Sequence, residues 1–216
     1  MSFAPQKKAT IYSPILKNIE TYTRQFNQID EDRKAALKRL ALFVKSKLEA
    51  GQKAELIFIC THNSRRSHIS QIWAQTAAAY YNIPNVVAYS GGTEATAFNP
   101  RAVKAMEDAG FKITKTVDGT NPHYEVRFSD DGFVIQAFSK KYDSKENPGE
   151  GFGAVMTCSH ADDNCPFVAG AEARVATPYD DPKDFDETEQ EAAKYRERVD
   201  QIGRDILYTF SLINLN

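Results

Sequence analysis

Cysteine is scarce in this chain. Three occur in 216 residues, Cys60, Cys158 and Cys165. So small and odd a number argues against a structural disulfide framework. Each thiol is then either inert or reactive. No apolar run is long enough to span a bilayer, and the opening Met1-Ser2-Phe3-Ala4-Pro5-Gln6-Lys7-Lys8 has no apolar signal region. The expectation is a cytoplasmic protein with no membrane partner. Excess positive charge is also missing. The formal net charge is −2, which removes the electrostatic basis for binding nucleic acid or an anionic surface. There is no internal repeat and no low-complexity tract. The length suits one domain with an extension better than two domains.

What is present centres on Ile57-Phe58-Ile59-Cys60-Thr61-His62-Asn63-Ser64-Arg65-Arg66-Ser67. An apolar run ends at a cysteine, a short polar loop follows, and a helical pattern runs from His68 to Tyr81. This reads as strand, loop, helix, with Cys60 at the strand's C-terminal end, where open α/β sheets bind ligands. A loop entering a helix N-terminus turns free N–H groups toward one spot, and the helix dipole favours an anion there. Arg66 can grip a tetrahedral oxyanion with two parallel hydrogen bonds. The same field favours the thiolate of Cys60 and so a nucleophile.

The rest of the chain supplies the frame. Ser13-Pro14 reads as a helix start, with Ile15, Ile19, Tyr22 and Phe26 at helical spacing. Asp30 caps a second helix that ends near Gly51. Residues 1–50 therefore form a helical extension whose apolar stripe needs a partner, either the core or a second copy in a homodimer. Residues 51–216 form the main unit. Strands are expected at 55–59, 86–90, 153–157 and 174–177, and helices from Asn99-Pro100 and over 186–212. Strand–helix alternation predicts a central parallel sheet flanked by helices, an α/β fold. Residues 121–151 break the rhythm: 123–128 and 133–138 alternate around Ser129-Asp130-Asp131-Gly132, which predicts an inserted β-hairpin.

Two further groups could carry chemistry. Cys158 lies at a strand end, as Cys60 does, and parallel strands share one C-terminal edge. Cys165 follows seven positions later. On a helix that separation is roughly 10 Å, whereas a disulfide needs Cα atoms within about 7 Å. A bond between them requires a segment that unwinds, and the intervening Asp, Asn and Ser residues argue against a rigid helix. Three unrelated core thiols are the plain alternative. A metal site from Cys158, His160, Cys165 and His62 or His68 is disfavoured, because the spacing fits no usual zinc pattern. Asp180 and Asp181 sit on a loop at the same sheet edge, and either carboxyl could protonate a leaving oxygen.

The stretch from Cys60 to Ser67 resembles the C-x5-R-S phosphate loop of low-molecular-weight protein tyrosine phosphatases. Cys158-Ser159-His160-Ala161-Asp162-Asp163-Asn164-Cys165-Pro166 is similar to the redox segment of thioredoxin-coupled arsenate reductases, which share that fold. Ser90-Gly91-Gly92-Thr93-Glu94-Ala95, Asn99-Pro100-Arg101-Ala102-Val103 and Tyr179-Asp180-Asp181-Pro182 match the same family. The resemblance covers about residues 54–118 and 152–213.

It implies a low-molecular-weight phosphatase-like fold and a relay. Cys60 attacks arsenic, and residues Thr61, His62, Asn63, Ser64, Arg65, Arg66 and Ser67 form the substrate loop. Asp181 donates the proton. Cys158 attacks the Cys60–arsenic adduct, Cys165 then attacks Cys158, and thioredoxin reduces the Cys158–Cys165 bond. No cofactor is implied. His62 stands where the family usually has glycine, and Arg65 where many members have cysteine or an apolar residue. His62 is expected to reshape the loop or add a donor. Arg65 is expected to add positive field or to face solvent. Gln71 and Phe152 replace the carboxylates of a potassium site found in some reductases, so no such site is expected. Two rival activities remain: a phosphomonoesterase using Cys60, Arg66 and Asp181 alone, and a non-catalytic oxyanion or redox sensor signalling through the hairpin.

Overall fold

The computed structural model describes residues 10–164 and 167–214, so Cys165 lies outside the described residues. Four parallel strands make the central sheet: β1 (Ala54–Cys60), β2 (Val86–Gly92), β6 (Phe152–Met156) and β7 (Ala171–Ala176), in the order β2-β1-β6-β7. β1 is buried almost throughout, as expected of a strand covered on both faces. Leu56 and Phe58 enter the larger core, while Ile57 and Ile59 pack in a smaller one with Phe152, Met156 and Cys158. From β1 the chain passes through helix α3 (Arg66–Tyr80) to β2 on one side, and β6 pairs on the other. The carboxyl end of β1 is thus a point where neighbouring connections diverge, the usual place for a ligand crevice in such sheets.

The N-terminal helices are α1 (Ser13–Thr23) and α2 (Glu31–Glu49). Helix α1 starts one residue earlier than the Ser13 cap implies: Tyr12 is the flanking residue, and Ser13 is already helical. Asp30 does cap α2, accepting from the Arg33 N–H at 2.7 Å, and Glu31, Asp32 and Lys47 suit the helix dipole. Ile15, Ile19, Tyr22, Leu40 and Val44 share one core with α3 and the C-terminal helix α6 (Glu191–Ser211). The apolar stripe of the extension is therefore covered within the chain. Trp73 is the pivot, packed edge-on against Tyr22 and Phe111.

The inserted hairpin belongs to a three-stranded antiparallel sheet, β3 (Lys112–Val117), β4 (His123–Arg127) and β5 (Ile135–Ala137). Strand β3 was not expected. It is largely exposed along its length, so no apolar alternation marks it in the sequence. Tyr124, Val126, Ile135 and Ala137 are buried as their alternation predicts, but Phe133 is 56% exposed and precedes the strand. The final helix starts five residues later than expected, at Glu191. Glu187 is left-handed (φ 63°), and its N–H is taken by the Glu191 carboxylate. Helix α4 (Pro100–Asp108) is capped by Asn99, whose side chain accepts from the Arg101 N–H. A short helix, α5 (Ser159–Asn164), follows Cys158 where an irregular segment was expected.

Candidate active site

Cys60 is the last residue of β1 and Arg66 the first of α3, so residues 61–65 form the loop between them. The loop's carbonyls are tied outward. Cys60 O accepts from the Thr93 N–H (3.2 Å), Thr61 O from Glu94 (2.8 Å) and Ser64 O from Asn99 (2.9 Å). His62 O accepts from the hydroxyls of Thr96 (3.1 Å) and Ser139 (3.0 Å). No peptide among the described residues is cis, and a trans peptide sets the next N–H opposite its C=O. The amides of Thr61, His62, Asn63 and Arg65 therefore face the inside of the turn, a concavity that attracts anions. Asn63 takes the left-handed conformation (φ 44°) that this turn requires and that asparagine tolerates. Gly92 lies directly behind. A Cβ there would stand 2.6 Å from Asn63 N and 2.7 Å from Thr61 O.

The Cys60 sulfur is 3.1 Å from the Ser67 hydroxyl, which accepts from Asn63 Nδ2 at 2.9 Å. All three residues are buried. Asn63 Oδ1 in turn accepts from the backbone N–H of Lys140 at 2.8 Å. His68 is fully buried one turn into α3, with its Nδ1 3.1 Å from the Ser90 hydroxyl and its ring stacked on Phe98. Burial, reinforced by the Lys140 ammonium, pushes its pKa down to about 3 and holds the ring neutral.

Arg66 does not present an open fork. Its Nη1 donates to Tyr179 O (2.7 Å) and its Nη2 to Asp181 Oδ2 (2.6 Å). Its Nε is buried without a hydrogen-bond partner among the described residues. Three of the five guanidinium N–H groups, that on Nε and one on each Nη, are thus left beyond these two bonds. Asp181 is extended before Pro182 (φ −81°, ψ 121°) and accepts from the Lys183 N–H. Asp180 points away, 3.7 Å from Arg198 with its side chain almost wholly exposed. Of the two aspartates, Asp181 is thus the one that meets Arg66.

Other loop side chains turn elsewhere. Arg65 neither faces solvent nor lines the turn. Its Nε donates to Tyr195 OH (2.8 Å), and its guanidinium lies 3.8 Å from Asp181 and 3.6 Å from Asp186. Tyr195 donates onward to Asp186 at 2.8 Å. Arg65 thereby fastens the Asp181 loop to α6. His62 is half-exposed at the rim, 3.6 Å from the Glu94 carboxylate. Ser64 is buried. Gln71 uses its amide N–H groups on the carbonyls of Ala88 and Gln136.

Cys158 follows β6 on the strand beside β1. Ile59 pairs with Met156, and the Thr157 N–H donates to Ile59 O, so the ladder continues to the cysteines. Cys158 thus comes one position beyond the residue opposite Cys60, on the neighbouring chain segment. Both are free thiols and nearly inaccessible, Cys60 at 3% and Cys158 at 1% exposure. The Cys158 sulfur accepts from the Ala161 N–H at 3.4 Å, capping α5. The Thr61 hydroxyl stands 3.5 Å from that sulfur and 3.2 Å from His160 Nδ1.

Several supporting residues carry no sequence motif. Arg33, from α2, lies over the Tyr179 ring at 4.8 Å and donates to Pro178 O. Burial, and next the nearby Asp205 carboxylate, hold the Tyr179 phenol well above its usual range. Burial holds the Asp205 carboxyl above its usual range, opposed by Arg33 and Arg204. The N-terminal extension thus grips the loop that carries Asp181. Ser139 and Lys140 likewise come from the insertion. The Gly91-Gly92 pair after an apolar strand was the one local signal of a close approach at this place.

No protein-family model matches the chain. An arsenate reductase of Halalkalibacterium halodurans is 31% identical over 155 residues, covering 71% of this chain and 93% of the relative. Among solved structures, an arsenate reductase in a phosphate-binding state is 17% identical, with a TM-score of 0.49 over 74% of this chain and 99% of that one. A low-molecular-weight phosphotyrosine phosphatase of Vibrio cholerae O395 is 11% identical, with a TM-score of 0.49 over 73% of this chain and 94% of that one.

Proposed function

The chain belongs to the arsenate reductase family, and on that premise we propose that it reduces arsenate to arsenite through its three cysteines, with a thioredoxin-type dithiol as final reductant. One observation carries the reading: two buried free thiols end neighbouring parallel strands, with the Thr61 hydroxyl beside the second. A hydrolase working through a cysteinyl intermediate has no use for Cys158.

The chemistry follows from the placement. Arsenate sits in the turn, held by the loop amides and by Arg66. The Cys60 thiolate attacks arsenic, and an arsenate oxygen leaves as water with a proton from Asp181. The product is a Cys60–arsenic(V) adduct. The Cys158 thiolate then attacks the Cys60 sulfur. A sulfur–sulfur bond forms, the sulfur–arsenic pair stays on arsenic, and arsenic(III) departs as arsenite. Both electrons come from the two sulfurs. The Cys165 thiolate attacks Cys158, freeing Cys60, and an external dithiol reduces the Cys158–Cys165 bond. Each exchange needs an attacking thiolate with access to the next sulfur. No helix among the described residues is long and apolar enough to cross a membrane, and free thiols suit a reducing compartment. We therefore assign the protein to the cytoplasm.

The test is arsenate-dependent NADPH oxidation through thioredoxin and its reductase. Cys165→Ser is expected to stop multiple turnover and leave one equivalent of arsenite per chain. Normal turnover by that variant overturns the relay. Cys60, Arg66 and Asp181 alone suffice for a phosphomonoesterase, so the same preparations are assayed with an aryl phosphate. Hydrolysis with no arsenite formed would favour that second reading.

A further inference from the structure

The segment Ser139–Tyr142 crosses behind the anion turn as a strap. The Gly92 N–H donates to Lys140 O (2.9 Å), and the Tyr142 N–H donates to Gly92 O (2.9 Å). Gly91 lets it lie close, since a Cβ there would meet the Tyr142 backbone. Ser139 is the buckle. Its hydroxyl donates to His62 O (3.0 Å) and accepts from the Thr96 N–H (2.8 Å). Its own N–H and C=O are both held by the Asn121 side-chain amide (3.1 and 2.8 Å). The strap belongs to the region of the insertion, outside the part of the chain that the catalytic loop itself occupies.

Besides that backbone contact at His62, the strap reaches a loop side chain through the Lys140 N–H, which donates to Asn63 Oδ1 at 2.8 Å. A backbone N–H can only donate, so it decides which end of the Asn63 amide faces it. With Oδ1 toward the strap, Nδ2 faces Ser67 and donates to its oxygen. That leaves the single Ser67 proton for the Cys60 sulfur at 3.1 Å. The opposite amide orientation would draw the Ser67 proton toward Asn63 and leave the thiolate without it. We propose that the strap is a working part of the anion loop: it sets the direction of the chain Lys140 N–H, Asn63, Ser67, Cys60, and Ser139 and Asn121 are its positioning residues. The proposal rests on Cys60 being the nucleophile, as in the function proposed above. A hydrogen bond donated to a thiolate favours the charged form, so the strap reaches reactivity through two intervening side chains.

The test reads the Cys60 thiolate directly, without arsenate or thioredoxin. The full chain is alkylated with iodoacetamide across a pH series, and each cysteine is followed separately by peptide mass spectrometry. Ser139→Ala and Asn121→Ala loosen the strap, and Lys140→Pro deletes the donor. Ser139→Ala and Asn121→Ala keep every titratable group around the turn, His62, His68, His160, Cys158, Arg66, Asp181 and Lys140, whereas Lys140→Pro also removes the ammonium that acts on His68 and so only supports the other two. The expected result is a Cys60 midpoint raised by about half to one pH unit, with alkylation below the midpoint slowed about three- to tenfold. The rate above the midpoint should be unchanged. Cys158 serves as the internal control, and Ser139→Thr, which keeps the hydroxyl, should retain the parent profile. A Cys60 profile superimposable on the parent in the folded Ser139→Ala and Asn121→Ala proteins overturns the proposal. Those two decide the matter if Lys140→Pro does not fold. A shifted midpoint in a protein that makes no arsenite would refute the reductase reading and leave the strap standing.

Discussion

The turn after Cys60 and the segment after Cys158 end adjacent strands, yet they are held in opposite ways. Around Cys60 the carbonyls of residues 60, 61, 62 and 64 are all anchored, Gly92 packs directly behind, and the strap locks Asn63. After Cys158 there is a six-residue helix, less than two turns long. It is tied down by Arg174 on Asp162 and by Thr61 beside His160. So short a helix has little stability of its own. The contrast fits two different duties in the proposed relay. A cradle for an anion gains from being preorganised. A sulfur that must pair with a partner seven positions on cannot stay in a helix, because the spacing exceeds disulfide reach. In the proposed relay the helix over 159–164 would be a resting arrangement that opens when Cys158 meets Cys165.

The largest break in the comparison comes from the sulfurs themselves. Cys60→Ser is expected to lower both arsenate reduction and any aryl phosphate hydrolysis by on the order of 10⁴-fold or more, the scale of losing a nucleophile. Cys158→Ser should abolish arsenite release equally but leave phosphate binding and aryl phosphate hydrolysis within about twofold. Steady-state assays of both reactions, with phosphate binding by calorimetry, check this. Equal loss of both activities in Cys158→Ser would mean that the two turns are not separable.

The next effect concerns the rigidity of the first turn. In Gly92→Ala the new methyl meets backbone at Asn63 and Thr61, which cannot move as a flexible side chain can. A loss of about 3 kcal/mol is expected from such overpacking, together with weakened phosphate binding. Gly149→Ala, where a Cβ meets nothing within 4 Å, should change stability by less than about 0.5 kcal/mol. Urea unfolding of the two variants measures the difference.

How much of this was legible beforehand depends on how local the cause is. Strand, loop and helix around Cys60 follow from an apolar run, a polar break and helical spacing, all within about thirty residues. The caps at Asp30 and Asn99 were visible for the same reason. Strand β3 was not, because an exposed edge leaves no alternation to read. For Arg65 only the solvent-facing alternative fails, since its direction depends on Tyr195, distant in sequence. The strap and Arg33 were invisible on the same ground: each meets the site through a contact to backbone, and a backbone group looks alike at every position. The helix at 159–164 was missed because composition argued against it, whereas the Cys158 sulfur and the Arg174 guanidinium supply the ties.

Acid offers a gentler probe of the same anchored region. His68 lies within it, and its pKa falls from 6.5 to about 3 on folding. Between those values the unfolded chain binds a proton that the folded one refuses, so stability drops as pH falls through that window. One such group accounts for about 1.4 kcal/mol per pH unit, or roughly 2 kcal/mol between about pH 7 and pH 5. His68→Asn should flatten the pH dependence of the urea midpoint by that amount, whatever it costs at neutral pH. An unchanged slope would show that His68 titrates normally.

The smallest expected effect tests the looser segment. Arg174 donates to Asp162 O at 2.7 Å and to its carboxylate, with both side chains a little under one-third exposed. A pair so placed contributes under about 1 kcal/mol, so Arg174→Ala should lower Tm by no more than about 4 °C. Its consequence for the proposed relay is larger than its consequence for stability. If α5 must open before Cys158 meets Cys165, removing a tie that holds it closed brings the open form within easier reach. Transfer to Cys158–Cys165 should then quicken by up to about fivefold, the factor that 1 kcal/mol allows. Single-turnover arsenite release followed by thioredoxin oxidation separates this step from the Cys60 chemistry. A slower or unchanged transfer would mean that α5 is part of the reactive arrangement, and the two turns would then be alike in needing to be held.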